Sequence, residues 1–260
     1  MNDRLARGWD EAAEGYEAYF VPRFAPWVGT AVDALSGRRL PDGPILVPCC
    51  GTFPELDALA DAWPGREIVG IDLSAGMVRL ARERAARHPS ARVVQGDAST
   101  VDAGSCAALV SVFGLQQLPE PAVAIGSWVA ALRPGGLLSV VFWPGDIEGD
   151  GPFALLSTVL REHVPRSDRA WERRIAAAVT ARGAVIELDE TVAHPMSHPD
   201  AAAFFDAFTR SGPLRPLVGA PFFDTVRAEF LRWAPAGGAG SGDWSHRPRA
   251  RHLVVSAQLP

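Results

Sequence analysis

The sequence predicts an α/β protein built on a doubly wound, mostly parallel sheet. Between residues 44 and 143, short apolar runs alternate with segments whose apolar residues recur at helical spacing. Such runs are typical of parallel strands that helices cover on both faces. Parallel neighbours need right-handed crossovers, which the intervening segments supply. The predicted strands of this region are Ile45–Cys50, Glu67–Leu73, Arg92–Gly96, Ala107–Phe113 and Leu137–Trp143.

The helices follow from the same spacing. The helix after the second strand is predicted to begin at Ser74, because serine is a good N-cap residue. Residues 1–40 are also predicted to be helical, since one apolar stripe contains Trp9, Ala13, Tyr16 and Phe20. Proline breaks helices, so Pro22 and Pro26 are expected to separate this helix from a second one over Trp27–Leu35.

The C-terminal part is expected to cover the sheet and to complete it. Residues 145–183 are predicted to be mostly helical. After them come a strand, two helices, a glycine-rich surface loop and a closing strand: Ala184–Ala193, His198–Ser211, Pro221–Trp233, Pro235–Gly242 and Arg249–Ala257. We divide this single domain into an N-terminal helical cap (1–40), a ligand-binding core (41–145) and a cover that also completes the sheet (146–260).

Composition excludes several classes of function. A net charge of −5 argues against nucleic acid as a partner. No apolar run approaches the roughly 18 residues of a membrane span, and the N-terminus lacks an apolar signal core, so a cytoplasmic protein is expected. The three cysteines are too few for a disulfide framework. Lysine is absent, which excludes a lysine Schiff base.

A nucleotide pocket is predicted where the first two strands end. Gly51 forms a tight turn after the first strand, and Asp72 ends the second strand 21 positions later. In parallel sheets such a turn brings backbone N–H groups close to the ligand, and the acid binds ribose hydroxyls. Cys49 and Phe53 stand where a dinucleotide fingerprint has glycine. A ligand with one ribose and no pyrophosphate is therefore favoured.

Five motifs in order resemble those of class I S-adenosylmethionine-dependent methyltransferases of the small-molecule type. They are Ile45–Phe53, Ile71-Asp-Leu-Ser74, Val94-Gln-Gly-Asp-Ala98, Ser111-Val-Phe-Gly-Leu-Gln-Gln-Leu118 and Leu132-Arg-Pro-Gly-Gly136. The resemblance covers roughly residues 40–145. It implies a Rossmann-like, seven-stranded sheet with a final antiparallel strand, and a mostly helical cover over the substrate.

The resemblance also implies S-adenosyl-L-methionine as the cofactor and suggests the residues that bind it. Asp72 would bind the ribose, and Asp97 and the Ala98 N–H would contact adenine, on which Leu73 and Met77 could pack. The loop residues Cys49, Gly51 and Phe53, with Tyr16, Phe113 and Gly114, would surround the methionine end. Two positions depart from the family pattern, because Phe53 replaces a glycine and Val47 replaces an acid that orients the cofactor amine.

More specific roles are expected for Phe53 and for the residues on the acceptor side. Phe53 is expected to adopt a helix-compatible backbone and to border the methionine end of the pocket. Gln117 could orient an acceptor by hydrogen bonds, and Trp143 could stack on a flat acceptor or pack in the core. His194 and His198 are the candidate catalytic bases, with a solvated loop histidine as the alternative. No metal site is predicted.

Methyl transfer depends mainly on alignment of the reacting atoms, so few conspicuous catalytic residues are expected. We interpret the chain as a methyltransferase that acts on a small organic acceptor, in bacterial specialised metabolism, as a monomer or homodimer. Two alternatives stay open. One is a methyltransferase fold recruited as a non-methylating cyclase or isomerase, and the other is a binding protein with a degenerate pocket.

Overall fold

The computed structural model describes residues 2–161, 168–211, 220–234 and 244–258. In these ranges the helices are α1 (Asn2–Asp33), α2 (Leu56–Ala62), α3 (Ala75–Ala85), α4 (Pro121–Ala131), α5 (Pro152–Leu160), α6 (Ala170–Thr180), α7 (Ala201–Ser211) and α8 (Ala220–Trp233). The strands are β1 (Ile45–Pro48), β2 (Ile68–Asp72), β3 (Ala91–Gln95), β4 (Cys106–Val112), β5 (Leu132–Phe142), β6 (Ala184–Ala193), β7 (Met196–His198), β8 (Trp244–His246) and β9 (Arg249–Ala257).

Seven of the described strands form one sheet in the order β3-β2-β1-β4-β5-β9-β6. Strands β1 to β5 pair in parallel, whereas β9 runs antiparallel to both β5 and β6. The predicted Rossmann-like architecture with a final antiparallel strand is thus confirmed. Chain order reverses direction at β1, which pairs with β2 on one side and β4 on the other. Ligands of such sheets bind outside the strand ends at this point.

Apolar clusters cover both faces of the sheet, as continuous apolar strands require. One cluster joins the sheet to the N-terminal helices and to the cover, and Phe20, Trp27 and Leu59 belong to it. The cluster on the other face is built around Trp128 of α4 and Ile175 of α6. None of the helices in the described ranges combines the length and apolar character needed to cross a bilayer.

The N-terminal segment corrects one expectation. Pro22 and Pro26 do not divide it, since both lie inside the single helix α1. The helix presents Phe20, Phe24 and Trp27 to the core, and all three are buried. Burial of large apolar side chains along one face stabilises the continuous helix more than the lost backbone hydrogen bonds destabilise it.

The cover also differs from the prediction near His198. Helix α7 begins at Ala201, and His198 instead belongs to β7, which pairs with β8 in a two-stranded ribbon. Strands of three residues are too short to show a periodic pattern, so this ribbon was not predicted. The predicted loop at Pro235–Gly242 lies outside the described residues.

Candidate functional site

A cleft opens at the carboxyl ends of β1, β2 and β4, under the N-terminal turns of α1. Its volume is about 860 Å³ including the part open to solvent, which suits a small-molecule ligand. The predicted site residues that line it are Tyr16, Cys49, Gly51, Asp72, Leu73, Met77, Asp97, Ala98, Phe113, Gly114 and Gln117. The structure therefore brings together side chains that are far apart in the sequence.

The loop after β1 forms the floor of the cleft with an unusual backbone. Cys49, Gly51 and Phe53 have φ values of 55°, 54° and 67°, in the left-handed region. Only glycine adopts this region without a steric cost, so Cys49 and Phe53 store backbone strain. The loop is held in place because the Cys50 N–H donates to the carbonyl of Ile71 at 3.1 Å.

Asp72 connects this loop to the start of α3. Its Oδ2 accepts from the Gly51 N–H at 2.8 Å, and its Oδ1 accepts from the Ser74 N–H at 2.9 Å. Burial raises the pKa of Asp72, and the backbone hydrogen bonds from Ser74 and Gly51 oppose that rise. A carboxylate has about four lone-pair positions, so Asp72 keeps acceptor capacity toward the cleft.

Phe53 is the main correction to the predicted site. Its backbone is left-handed rather than helix-compatible, and its side chain is fully buried and is not among the residues that line the cleft. A Cβ added to Gly70 would lie 2.9 Å from the Phe53 ring. The ring thus fills space against β2 that a glycine backbone leaves free, and the prediction that it borders the cleft is wrong.

The opposite end of the cleft is shaped for a flat group. The Asp97 Oδ1 accepts from the Ser99 N–H at 2.8 Å, which fixes the carboxylate at the cleft edge. Ala98 is buried, and its carbonyl accepts from the indole N–H of Trp128 at 2.8 Å. Leu73 and Met77 contribute apolar walls. This surface offers one charged acceptor beside an apolar face.

The acidic side chains of the cleft lack basic neighbours in its described lining. Asp72, Asp97 and Glu55 line it, whereas no arginine or histidine does so among the described lining residues. An anionic ligand such as a pyrophosphate would be repelled, and a ligand with positive charge is favoured. Burial holds the pKa of the Cys49 and Cys50 thiols well above the usual value, and Asp72 adds to the effect. Both thiols therefore stay protonated.

The comparisons with known proteins agree with this geometry. The family model for a methyltransferase domain matches residues 45–136, the segment that builds the cleft floor and its walls. The chain carries a class I S-adenosylmethionine-dependent methyltransferase domain. The cofactor of this domain is S-adenosyl-L-methionine.

The chain is similar to curated methyltransferases over part of their length. It is 32% identical to a trans-aconitate 2-methyltransferase of Streptomyces coelicolor over 167 residues, 60% of this chain and 52% of that protein. It is 32% identical to a demethylmenaquinone methyltransferase of Staphylococcus carnosus over 92 residues, 34% of this chain and 38% of that protein. The chain thus spans about half or less of the curated relatives it matches.

Solved structures show the same fold at low sequence identity. A phosphoethanolamine N-methyltransferase 2 of Haemonchus contortus, in complex with S-adenosylhomocysteine, has a TM-score of 0.58 at 14% identity, covering 100% of this chain and 60% of that one. The [4+2]-cyclase SpnF has a TM-score of 0.55 at 18% identity, covering 92% of this chain and 81% of that one. Both show the fold alone.

The wall of the cleft at the end of β4 is aromatic. Phe113, with φ 59°, forms the cleft wall at the end of β4. Trp143 stacks behind it with the ring centroids 4.0 Å apart and does not itself line the cleft. Of its two predicted roles, the structure favours packing in the core. Gly114 lies so close to Cys49 that an added Cβ would approach the Cys49 Cβ to 2.5 Å.

The two histidines predicted as bases do not line the cleft. His194 bonds to the Thr30 hydroxyl at 2.8 Å and packs edge-on against Trp27. His198 is fully buried in the cover. Direct contact between either histidine and a ligand in the cleft is therefore contradicted, because both rings are engaged elsewhere.

His198 instead belongs to a chain of hydrogen bonds through the cover. Its Nδ1 lies 2.8 Å from the Tyr19 hydroxyl, and its Nε2 lies 3.0 Å from Nε2 of His246. His246 Nδ1 is 2.7 Å from Glu148, which accepts from the first N–H groups of α5. One set of tautomers satisfies the chain: Tyr19 donates to His198, His198 donates to His246, and His246 donates to Glu148.

The burial of His198 in this series of hydrogen bonds is expected to make the free energy of unfolding depend on pH. Burial, with His246 and Arg23 adding to it, lowers the pKa of His198 to about 3. The unfolded chain therefore binds a proton below about pH 6.5 that the folded protein excludes. Above about pH 6.5, protonation of His198 does not lower the free energy of unfolding. Between pH 6 and 4, we expect this free energy to fall by up to about 1.4 kcal/mol per pH unit.

The variant His198→Asn tests this expectation by urea denaturation at several pH values. It should be less stable at pH 7.5 and show a flatter decline toward pH 4. His88→Asn is the control, because His88 lies near the surface and pairs with Asp57. An equally steep acid decline in His198→Asn would show that His198 does not carry the effect.

Sequence analysis missed several cleft residues. The first turns of α1 contribute Leu5, Ala6 and Trp9, and the loop before α2 contributes Pro54 and Glu55. The sequence did mark Trp9 as a packing position, since it begins the apolar stripe of α1. Nothing in the sequence shows that this stripe passes over the strand ends. Within the described residues, no group of three or more metal-binding side chains comes together.

Proposed function

We propose that this methyltransferase domain transfers a methyl group to an apolar small-molecule acceptor that binds against the wall formed by Phe113. The observation that carries the proposal is the cleft itself, which has three carboxyl groups, no basic side chain among its described lining residues, and one aromatic wall. S-adenosylmethionine has a net positive charge and one ribose, and both features match this site.

Particular residues would hold the cofactor. Asp72 would accept from the two ribose hydroxyls with the lone pairs that Gly51 and Ser74 leave free. Asp97 would accept from the adenine amino group, and Leu73 and Met77 would pack on the ring. The residues fit the group, since one buried carboxylate oxygen, Oε2 of Glu55, has no hydrogen-bond partner among the described residues.

When bound, the cofactor would supply an electrophilic methyl carbon on a sulfonium whose leaving group is a neutral thioether. The protein's task is then to hold the acceptor in line and to exclude water. Phe113 and the stacked Trp143 form a rigid wall for this purpose, and Gln117 offers a neutral amide for orientation.

The acceptor is proposed to need no strong base from the protein. Burial raises the pKa of Tyr16, so its phenol keeps its proton, and no histidine is among the described residues that line the cleft. An acceptor whose nucleophilic atom is neutral and has a free lone pair, or that releases its proton to water after transfer, fits this site. A role in bacterial specialised metabolism remains a prediction.

The same absence of a histidine from the cleft favours the second candidate, a methyltransferase fold that catalyses a cyclisation or isomerisation without consuming its cofactor. The two candidates differ in the products. Methyl transfer adds one methyl mass to the acceptor and converts S-adenosylmethionine to S-adenosylhomocysteine, whereas the second candidate leaves the cofactor intact.

Calorimetry tests the proposal first. Cofactor-stripped protein should bind S-adenosylmethionine and S-adenosylhomocysteine, and absence of binding to both would refute it. Incubation with a panel of apolar aromatic and isoprenoid acceptors, followed by mass spectrometry, then tests transfer. Turnover of an acceptor with unchanged mass and unconsumed cofactor would favour the second candidate.

A further inference from the structure

Glu55 is a buried carboxyl group for which the site geometry has so far given no role. It directly precedes α2, lines the cleft and is only 2% exposed. It makes no side-chain capping bond to the helix, and its Oε2 has no hydrogen-bond partner among the described residues. A buried carboxyl oxygen without a hydrogen-bond partner is costly, so a ligand that supplies a donor to it would be bound favourably.

The arginine nearest to Glu55 is engaged with other groups. Arg84 of α3 donates to Glu17 at 2.5 Å, to the carbonyl of Thr52 at 3.1 Å and to Asp57 at 3.4 Å. It acts on Glu55 through space only as a favourable charge. Glu55 therefore faces the cleft without an ion-pair partner among the described residues.

Glu55 acts on two neutral groups of the cleft. The Tyr16 phenol of α1 and the Cys50 thiol of the loop lie close enough to Glu55 for its charge to raise their pKa values, and Asp72 acts on the same two groups. This part of the cleft is therefore more favourable for a cation than for a further negative charge.

Strand β1 lacks the acid expected from the resemblance to the family. Val47 occupies that position, is fully buried and belongs to the apolar core. The acid that orients the cofactor amine is thus missing from the strand, while an unpaired acid lies seven residues beyond the end of β1, in the same cleft.

We propose that Glu55 is the counter-charge for the ammonium group of the cofactor's methionine moiety, a role displaced from β1 to the residue before α2. The inference rests on the proposed function. Tyr16 belongs to the same subsite, because its ring lies near Gly51 and its hydroxyl group is close enough to Glu55 to feel that charge.

Placing the counter-charge on Glu55 should couple ligand binding to the release of a proton. Burial raises the pKa of Glu55 to about 8, against the opposing effects of its own backbone N–H and of Arg84. At pH 7 the empty site therefore holds mostly the protonated acid. An arriving ammonium group favours the carboxylate, so binding releases on the order of one proton at pH 7, and affinity rises between pH 7 and 8.

Three ligands separate the possible roles of Glu55. S-adenosylmethionine has both the ammonium and the sulfonium, S-adenosylhomocysteine has only the ammonium, and 5′-methylthioadenosine has neither. In calorimetry, Glu55→Gln should lower the affinity for S-adenosylmethionine and S-adenosylhomocysteine equally, by at least about tenfold. Its affinity for 5′-methylthioadenosine should be unchanged. Asp57→Asn, an exposed acid two residues away, is the control and should change none of them.

Proton release gives a second readout. Wild-type protein titrated with S-adenosylhomocysteine at pH 7, in two buffers of different ionisation enthalpy, should release a proton that Glu55→Gln does not release. The proposal is overturned if the variant binds S-adenosylhomocysteine as tightly as wild type does. It is also overturned if the variant loses affinity for 5′-methylthioadenosine by the same factor as for S-adenosylhomocysteine. If wild type binds none of the three ligands, the proposed function itself fails.

Discussion

Replacing Phe53 by alanine is expected to lower the free energy of unfolding by about 3–5 kcal/mol, the usual cost of deleting a fully buried phenylalanine ring. The ring is inaccessible to solvent and packs against the backbone at Gly70. No neighbouring side chain can refill this space without moving β2. Urea denaturation of the variant measures the loss, and affinity for S-adenosylhomocysteine should change much less than stability.

The variant Phe53→Gly is the matched control, and it separates the ring from the backbone. Glycine removes one more carbon than alanine, yet it adopts the φ of 67° without the steric cost of a Cβ, about 1 kcal/mol. Phe53→Gly should therefore be more stable than Phe53→Ala. The reverse order, or a change in ligand affinity larger than the change in stability, would contradict the buried placement.

Replacing Asp72 by alanine is expected to weaken the binding of all adenosyl ligands by at least about a hundredfold. Two hydrogen bonds from ribose hydroxyls to a charged acceptor are lost, each worth about 1.5–3 kcal/mol. The Gly51 and Ser74 N–H groups also lose their acceptor, so the loop and the start of α3 are no longer held together. Calorimetry with 5′-methylthioadenosine measures the effect without a contribution from Glu55.

Asp97→Ala serves as the comparison for Asp72. It should lower affinity by a smaller factor, because the Ala98 N–H remains available to the adenine ring. Unchanged affinity in a folded Asp72→Ala variant would refute the ribose assignment. A loss in Asp97→Ala as large as that in Asp72→Ala would mean that both carboxylates act on the same part of the ligand.

The sheet and the position of the cleft could be predicted because they depend on local patterns. Continuous apolar runs such as Ala107–Phe113 are buried on both faces whatever their partners are. Parallel strands bring their carboxyl ends to one edge, so Gly51 and Asp72 had to meet once two neighbouring strands were assigned. Asp97 and Phe113 were suggested by the resemblance to the family, and both line the cleft.

The remaining features depend on tertiary packing that no local pattern encodes. Whether Phe53 points into the cleft or beneath it is decided by the empty space at Gly70, a contact across 17 residues. Pro22 and Pro26 stay helical because of the core that α1 meets. His198 is buried against His246 of the ribbon, 48 residues away. Glu55 has no ion-pair partner among the described residues because Arg84 donates to Glu17 instead.

The attachment of α1 sets how long a ligand stays bound. The helix covers the cleft through Leu5 and Trp9. Asp10 accepts from the Ser74 hydroxyl and the Gly76 N–H at 2.6 and 2.9 Å, and the exposed pair of Glu14 with Arg79 lies one turn further along the helix. We expect movement of this helix to open a path by which a ligand leaves. Because dissolved salt screens the pair of Glu14 with Arg79, the dissociation rate constant should increase with ionic strength.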